Sequence, residues 1–196
     1  MSAGAFGYRP EIDGLRSIAV LSVVLYHFGL PGLSGGFVGV DIFFVLSGFL
    51  IGGILWSELS ETGRIRLGAF YMRRIRRLAS AYFAMAAVSL IVAWFVLLPF
   101  EFRAFGKALI AATVYLSNVH FYREAGYFDI GAEDKVLLHT WSLAVEEQFY
   151  IVLPFALLLL MRWRRAMPVL LAVAAILSLL ACVRLTATSP TAAFYL

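Results

Sequence analysis

Four ionisable residues interrupt apolar runs in this sequence. His27 follows the run that begins at Ile18, and Asp41 stands inside a second run. His139 and Glu146 lie in a later one, with Ser142 between them. Groups of these types can move protons, either as catalytic acids and bases or in a proton relay. At membrane depth an ionisable side chain costs about 2.5–3.5 kcal/mol on insertion scales, so each is a functional candidate by default. His139, Ser142 and Glu146 follow an i, i+3, i+7 pattern, which predicts one shared helical face. Arg16 precedes His27 by eleven residues, roughly 16 Å on a continuous helix. Each residue also has a simpler reading. His27 can serve as an interhelical hydrogen-bonder, and Asp41 can sit at the start of a helix, where carboxylates are favoured. His139 and Glu147 can lie at the membrane surface, with Trp141, Phe149 and Tyr150 as interface and packing aromatics. No metal-ligand cluster and no Gly-x-Ser-x-Gly elbow compete with these groups, so no metal is expected.

The elements that must position them are membrane helices. Of 196 residues, 62% are hydrophobic and 14% charged, and the mean hydropathy is +0.89. Soluble domains run near 45–50% apolar and about 25% charged, which excludes a disordered chain, an ordinary soluble enzyme and a nucleic-acid-binding domain. The net charge of +4 fits basic cytoplasmic loops. Cys182 is the single cysteine, so no intramolecular disulfide forms. A span needs about 20 apolar residues, and the candidates are 14–30, 37–56, 79–99, 139–161 and 168–185. Glu11 and Asp13 spoil a signal-peptide start, so the first is expected to be retained. Arg64, Arg66, Arg73, Arg74, Arg76 and Arg77 crowd the second connection, and Arg162, Arg164 and Arg165 the fourth; the positive-inside rule makes both cytoplasmic. On that topology His27, Asp41, His139 and Glu146 converge at a similar depth. Segment 105–122 is apolar but broken by Lys107, Ser117, Asn118 and His120, and is expected to be re-entrant or packed within the bundle. The fold class is thus all-α: a polytopic transmembrane bundle of about five spans plus this extra helix, in one domain over 1–196.

Four ordered segments resemble one family. They are YRPEIDGLRSIAVLSVVLYHF, GGFVGVDIFFVLSGFLI, FYMRRIRRL and LLHTWSLAVEEQFYIVLPF, together covering much of residues 8–155. The chain is similar to the membrane-embedded acyltransferase-3 family, whose members acylate sugars of surface polysaccharides and other small molecules. The resemblance implies a multi-pass protein of the bacterial cytoplasmic membrane and a bundle of roughly ten helices, of which this chain would supply the first half. It implies acyl-CoA, acetyl-CoA above all, as donor substrate rather than a tightly bound cofactor, and a carbohydrate or lipid-linked glycan as acceptor. The family's RxxR signature falls on Arg74 and Arg77; Arg73 and Arg76 satisfy the same spacing, and Arg16 would stand on the same cytoplasmic side. Arginine suits the CoA phosphates because its planar fork makes bidentate, charge-assisted bonds. His27 would act as general base on the acceptor hydroxyl, or as a transient acyl acceptor. Glu146 and Asp41 would orient an imidazole and stabilise its cation, and His139 would line the acceptor side. The alternatives are a proton-coupled transporter, which would not need arginines spaced for phosphates, and an accessory membrane subunit, which would need no site.

Overall fold

The computed structural model describes residues 9–125, 135–163 and 165–196; Tyr8 of the first family segment and Arg164 lie outside the described residues. Eight α-helices are found among them: α1 Pro10–His27, α2 Gly39–Thr62, α3 Leu67–Val96, α4 Pro99–Thr113, α5 Ser117–Glu124, α6 Thr140–Met161, α7 Met167–Thr188 and α8 Pro190–Tyr195. The residues group into two compact units. The first comprises 1–65 and 152–159, the second 66–151 and 160–196.

In the first unit, Pro10 starts α1 with its φ already helical, and Glu11 and Asp13 complement the positive end of the helix dipole. A short 3-10 turn, Gly36–Val38, leads into α2. Gly36 and Gly39 let the backbones close up. A Cβ at Gly36 would collide with the Ser22 carbonyl, and one at Gly39 with the Ala19 carbonyl and Ser22 Oγ. These contacts run α1 and α2 antiparallel, with Gly39 level with Ala19 to Val23. The α2 helix ends at Gly63, whose φ of 70° gives a left-handed cap and returns its N–H to the Leu59 carbonyl.

In the second unit, α3 is 30 residues long. Pro99 opens α4, and the Glu101 side chain accepts the Leu98 N–H at 2.8 Å. Tyr115, at φ 55°, then breaks the chain direction before α5. A buried cluster of Ala93, Phe105, Ala108, Phe121, Leu137 and Tyr195 forms this unit's core.

Four helices are long and apolar enough to cross a membrane by length and composition: the one spanning Gly36–Thr62, then α3, α6 and α7. They match four of the five expected spans. The fifth, α1, is helical but carries Glu11, Asp13 and Arg16 and stops at His27, leaving too short an apolar length to qualify. Segment 105–122 does not run as one helix, because the left-handed Tyr115 divides it. Of its polar interruptions, Ser117 and Asn118 are buried, His120 is half-buried and Lys107 is exposed. A further correction concerns the second connection. Only 63–66 lies between α2 and α3, so Arg73, Arg74, Arg76 and Arg77 are helical rather than in a loop. Arginine is a good helix former, and no proline stands between Leu67 and Val96 to stop the helix earlier.

Candidate active site

The segment Glu146 to Tyr150 radiates from α6 toward several partners, because successive helical residues point about 100° apart. Glu147 Oε1 accepts from Arg74 Nη2 at 2.8 Å. The Arg74 guanidinium also covers the Tyr150 ring, 3.8 Å from its centroid. Tyr150 donates its hydroxyl to Glu146 Oε1, one turn back on the same helix. All four are buried: Arg74 is 9% exposed, Glu146 and Glu147 8% each, and Tyr150 2%. A buried ion pair needs close geometry and further hydrogen bonds to offset desolvation, and here a cation–π contact adds to it. One turn from Arg74, Tyr71 donates to the Ile151 carbonyl at 3.1 Å, a second tie between α3 and α6.

Gln148 points elsewhere. Its Nε2 donates to the Tyr115 carbonyl at 2.8 Å and to Asn118 Oδ1 at 2.9 Å. Asn118 Nδ2 donates to the Tyr195 carbonyl at 3.1 Å. The amide pair of buried Asn118 and half-buried Gln148 thus holds the strained Tyr115 turn and joins α5, α6 and α8. Burial, then the negative charge of Glu147, pushes the Tyr115 hydroxyl above its ordinary pKa.

Of the residues expected from sequence, Glu146 and Arg74 belong to this cluster. Two expectations are corrected. Glu147 is not a surface group, and Tyr150 is more than a packing aromatic, because both hold Arg74. His139 precedes α6 by one residue, and Ser142 and Glu146 lie within it. It sits in the turn before α6, where the Ser142 hydroxyl donates to its carbonyl at 3.1 Å. Arg73, Arg76 and Arg77 are exposed, and their i, i+3, i+4 spacing puts them on one face of α3.

His27 and Asp41 belong to the first unit. His27 is exposed at the end of α1. Its Nδ1 lies 2.8 Å from the Val23 carbonyl. A carbonyl can only accept, so in the neutral ring the proton sits on Nδ1 and the Nε2 lone pair is open. The Tyr26 ring meets the imidazole edge-on at 5.4 Å. Asp41 stands exposed in the first turn of α2. The helix register brings it level with Ala19, about two turns below His27, so α1 and α2 alone do not pair the two. Arg16 is half-buried. Its Nη1 is 3.9 Å from Asp13, and its guanidinium lies 4.8 Å from the Phe43 ring centroid. Among the described residues no group of three potential metal ligands occurs.

Sequence reasoning passed over Glu147, Tyr150, Gln148 and Asn118 as working residues. A signal was present in the adjacent acidic and amide residues of Glu146-Glu147-Gln148, since three such groups in a row on an apolar helix each need a partner.

A family model described as an acyltransferase domain matches residues 9–196. The chain is 39% identical over 194 residues to the peptidoglycan O-acetyltransferase OatA of Listeria monocytogenes, covering 96% of this chain and 31% of that protein. It is 41% identical over 182 residues to YrhL of Bacillus subtilis, provisionally named a peptidoglycan O-acetyltransferase, covering 91% and 28%. A Staphylococcus aureus protein provisionally named an O-acetyltransferase, SAS0844, is 41% identical over 155 residues, covering 79% and 25%. The chain therefore spans between a quarter and a third of the length of these curated relatives. No solved structure matches significantly.

Proposed function

From the premise that the chain belongs to this acyltransferase family, we propose that it forms part of a membrane O-acetyltransferase that moves an acetyl group from cytoplasmic acetyl-CoA to a glycan hydroxyl. Relatives named for peptidoglycan make that polymer the first acceptor to try. The protein belongs in the cytoplasmic membrane with 63–66 inside, on the side of the arginines.

The observation that carries the reading is the state of His27: exposed, with Nδ1 engaged and Nε2 open. The acceptor oxygen attacks the thioester carbon while its proton passes to Nε2. The C–S bond then breaks, and the departing thiolate takes the proton back from the imidazolium. Such a base contributes about 10²–10⁴-fold. Glu146 is proposed as a carboxylate that orients an imidazole and stabilises its cation, and His139 is proposed to line the acceptor side; Asp41, about two turns from His27, is given no such part. Arg73, Arg76 and Arg77, the exposed members of the cluster, are proposed to receive CoA phosphates, and Arg16 is proposed for the same kind of ligand group. Arg74 is occupied by Glu147 and Tyr150 and shapes the helix that presents them. A transporter or accessory subunit has no comparable support from the relatives' names.

The test uses the full-length protein in membrane vesicles. Labelled acetyl-CoA supplied on the cytoplasmic side should transfer label to peptidoglycan fragments, and acetyl-CoA should raise the protein's melting temperature in detergent. Absence of both effects would reject the donor.

A further inference from the structure

Ser47 lies on the buried seam of α2, in register with Gly39, Phe43, Leu55 and Leu59 at four-residue steps, and is 3% exposed. Its hydroxyl has no hydrogen-bond partner. Several other helical hydroxyls of this chain bond back to their own helix. Ser17 donates to the Asp13 carbonyl, Ser22 to Ala19, Thr62 to Glu58 and Thr113 to Leu109. Back-bonding is the ordinary resting state of a helical serine or threonine, and Ser47 forgoes it. One turn away, about 6 Å along α2, the Phe43 ring lies under the Arg16 guanidinium. Among the described residues, Arg16 Nε is the other buried side-chain polar atom of this unit without a partner.

Arg16 Nε–H can only donate, and a serine hydroxyl orphaned in an apolar seam also has a proton to give. What is missing at both is an acceptor. Two unmet donors, Ser47 and the arginine over the ring one turn from it, call for an oxygen-rich, negatively charged ligand. Spacing narrows the choice. Arg16 stands roughly 16 Å along α1 from His27. A pantetheine arm has about thirteen bonds from phosphorus to sulfur, equal to a little over four residues of extended chain, or about 15 Å. A phosphoryl group held at Arg16 therefore brings the thioester to His27.

We propose that Ser47, with Arg16, donates a hydrogen bond to a phosphoryl oxygen at the inner end of the acyl donor's pantetheine arm, fixing the depth at which the thioester meets His27. The proposal rests on the donor reading above. Ser47 is a positioning residue in this scheme, not a catalytic one.

Ser47→Ala removes the oxygen and almost nothing else. In the full-length protein the variant should melt at or above the wild-type temperature, because a buried orphan hydroxyl has been deleted. Its KM for acetyl-CoA should rise about three- to tenfold, the range of one hydrogen bond, and more where the acceptor is charged. Acetylpantetheine, which carries the thioester and arm without phosphate, should be used equally by both proteins. A KM for acetyl-CoA equal to wild type overturns the proposal, as does an equal loss with both donors, which would mean a general packing effect. If wild type itself neither binds nor uses acetyl-CoA, the donor reading falls and takes the ligand assigned to Ser47 with it.

Discussion

The two units differ in how their polar groups are connected. In the second, several are joined in networks: Arg74 with Glu147 and Tyr150, Tyr150 with Glu146, Gln148 with Asn118 and Tyr115, with Arg74 Nε and His120 Nε2 left without a hydrogen bond among the described residues. In the first, His27 keeps one nitrogen open, Asp41 has no ion pair among the described residues, and Ser47 and Arg16 Nε lack acceptors. Satisfied networks rigidify, whereas an orphan donor costs about 1–3 kcal/mol that only a ligand can restore. The contrast sets the network around Arg74, a scaffold, against the open groups around His27, within a chain where both are built of rare polar residues.

The sharpest way to break this contrast is His27→Ala. If the open nitrogen is the base, transfer should fall by about 10²–10⁴-fold, while insertion and acetyl-CoA protection stay near wild type. Normal turnover at normal expression would remove His27 from the mechanism and leave the first unit without a reactive group.

Removing one partner from the satisfied side should do something different. Glu147→Leu leaves Arg74 buried and unpaired, which costs about 3–5 kcal/mol where measured in other proteins. The variant should melt much earlier in detergent. Adding Arg74→Met should recover most of the loss, since a well-packed apolar pair is often as stable as a buried ion pair. A Glu147→Leu protein of wild-type stability would show that the pair is not a structural lock.

Much of the fold was legible in the sequence, because length and apolar composition alone mark α2, α3, α6 and α7. Boundaries were less so. Charge at Arg73 to Arg77 looked like a loop, but a helix can carry charge past the bilayer surface, and nothing in 67–96 breaks it. The division at Tyr115 had no local signal either, since a left-handed tyrosine is unfavourable on its own and is held by Gln148 from a distant helix. The candidate site divides in the same way. The Arg16–His27 spacing is local to one helix and could be read directly. Which of four clustered arginines is buried depends on Glu147, 73 residues away, and no spacing rule reaches that far.

The smallest expected effect tests the division inside the arginine cluster itself. Replacing Arg73, Arg76 and Arg77 together by lysine keeps the positive charge that directs insertion and removes three guanidinium forks. A charge-assisted hydrogen bond is worth about 1.5–3 kcal/mol, and lysine retains part of it as a point charge. The KM for acetyl-CoA should therefore rise about tenfold, with normal orientation and an unchanged melting temperature, and the loss should widen as salt screens the remaining charges. Arg74→Lys predicts the reverse. A lysine cannot offer Glu147 the same fork while lying flat over the Tyr150 ring, so stability should fall before donor affinity changes. If the triple lysine variant binds acetyl-CoA like wild type and Arg74→Lys alone raises the KM, the buried arginine is the phosphate ligand after all. The Glu147 pair would then have to open for the donor, and the second unit could no longer be treated as a closed scaffold.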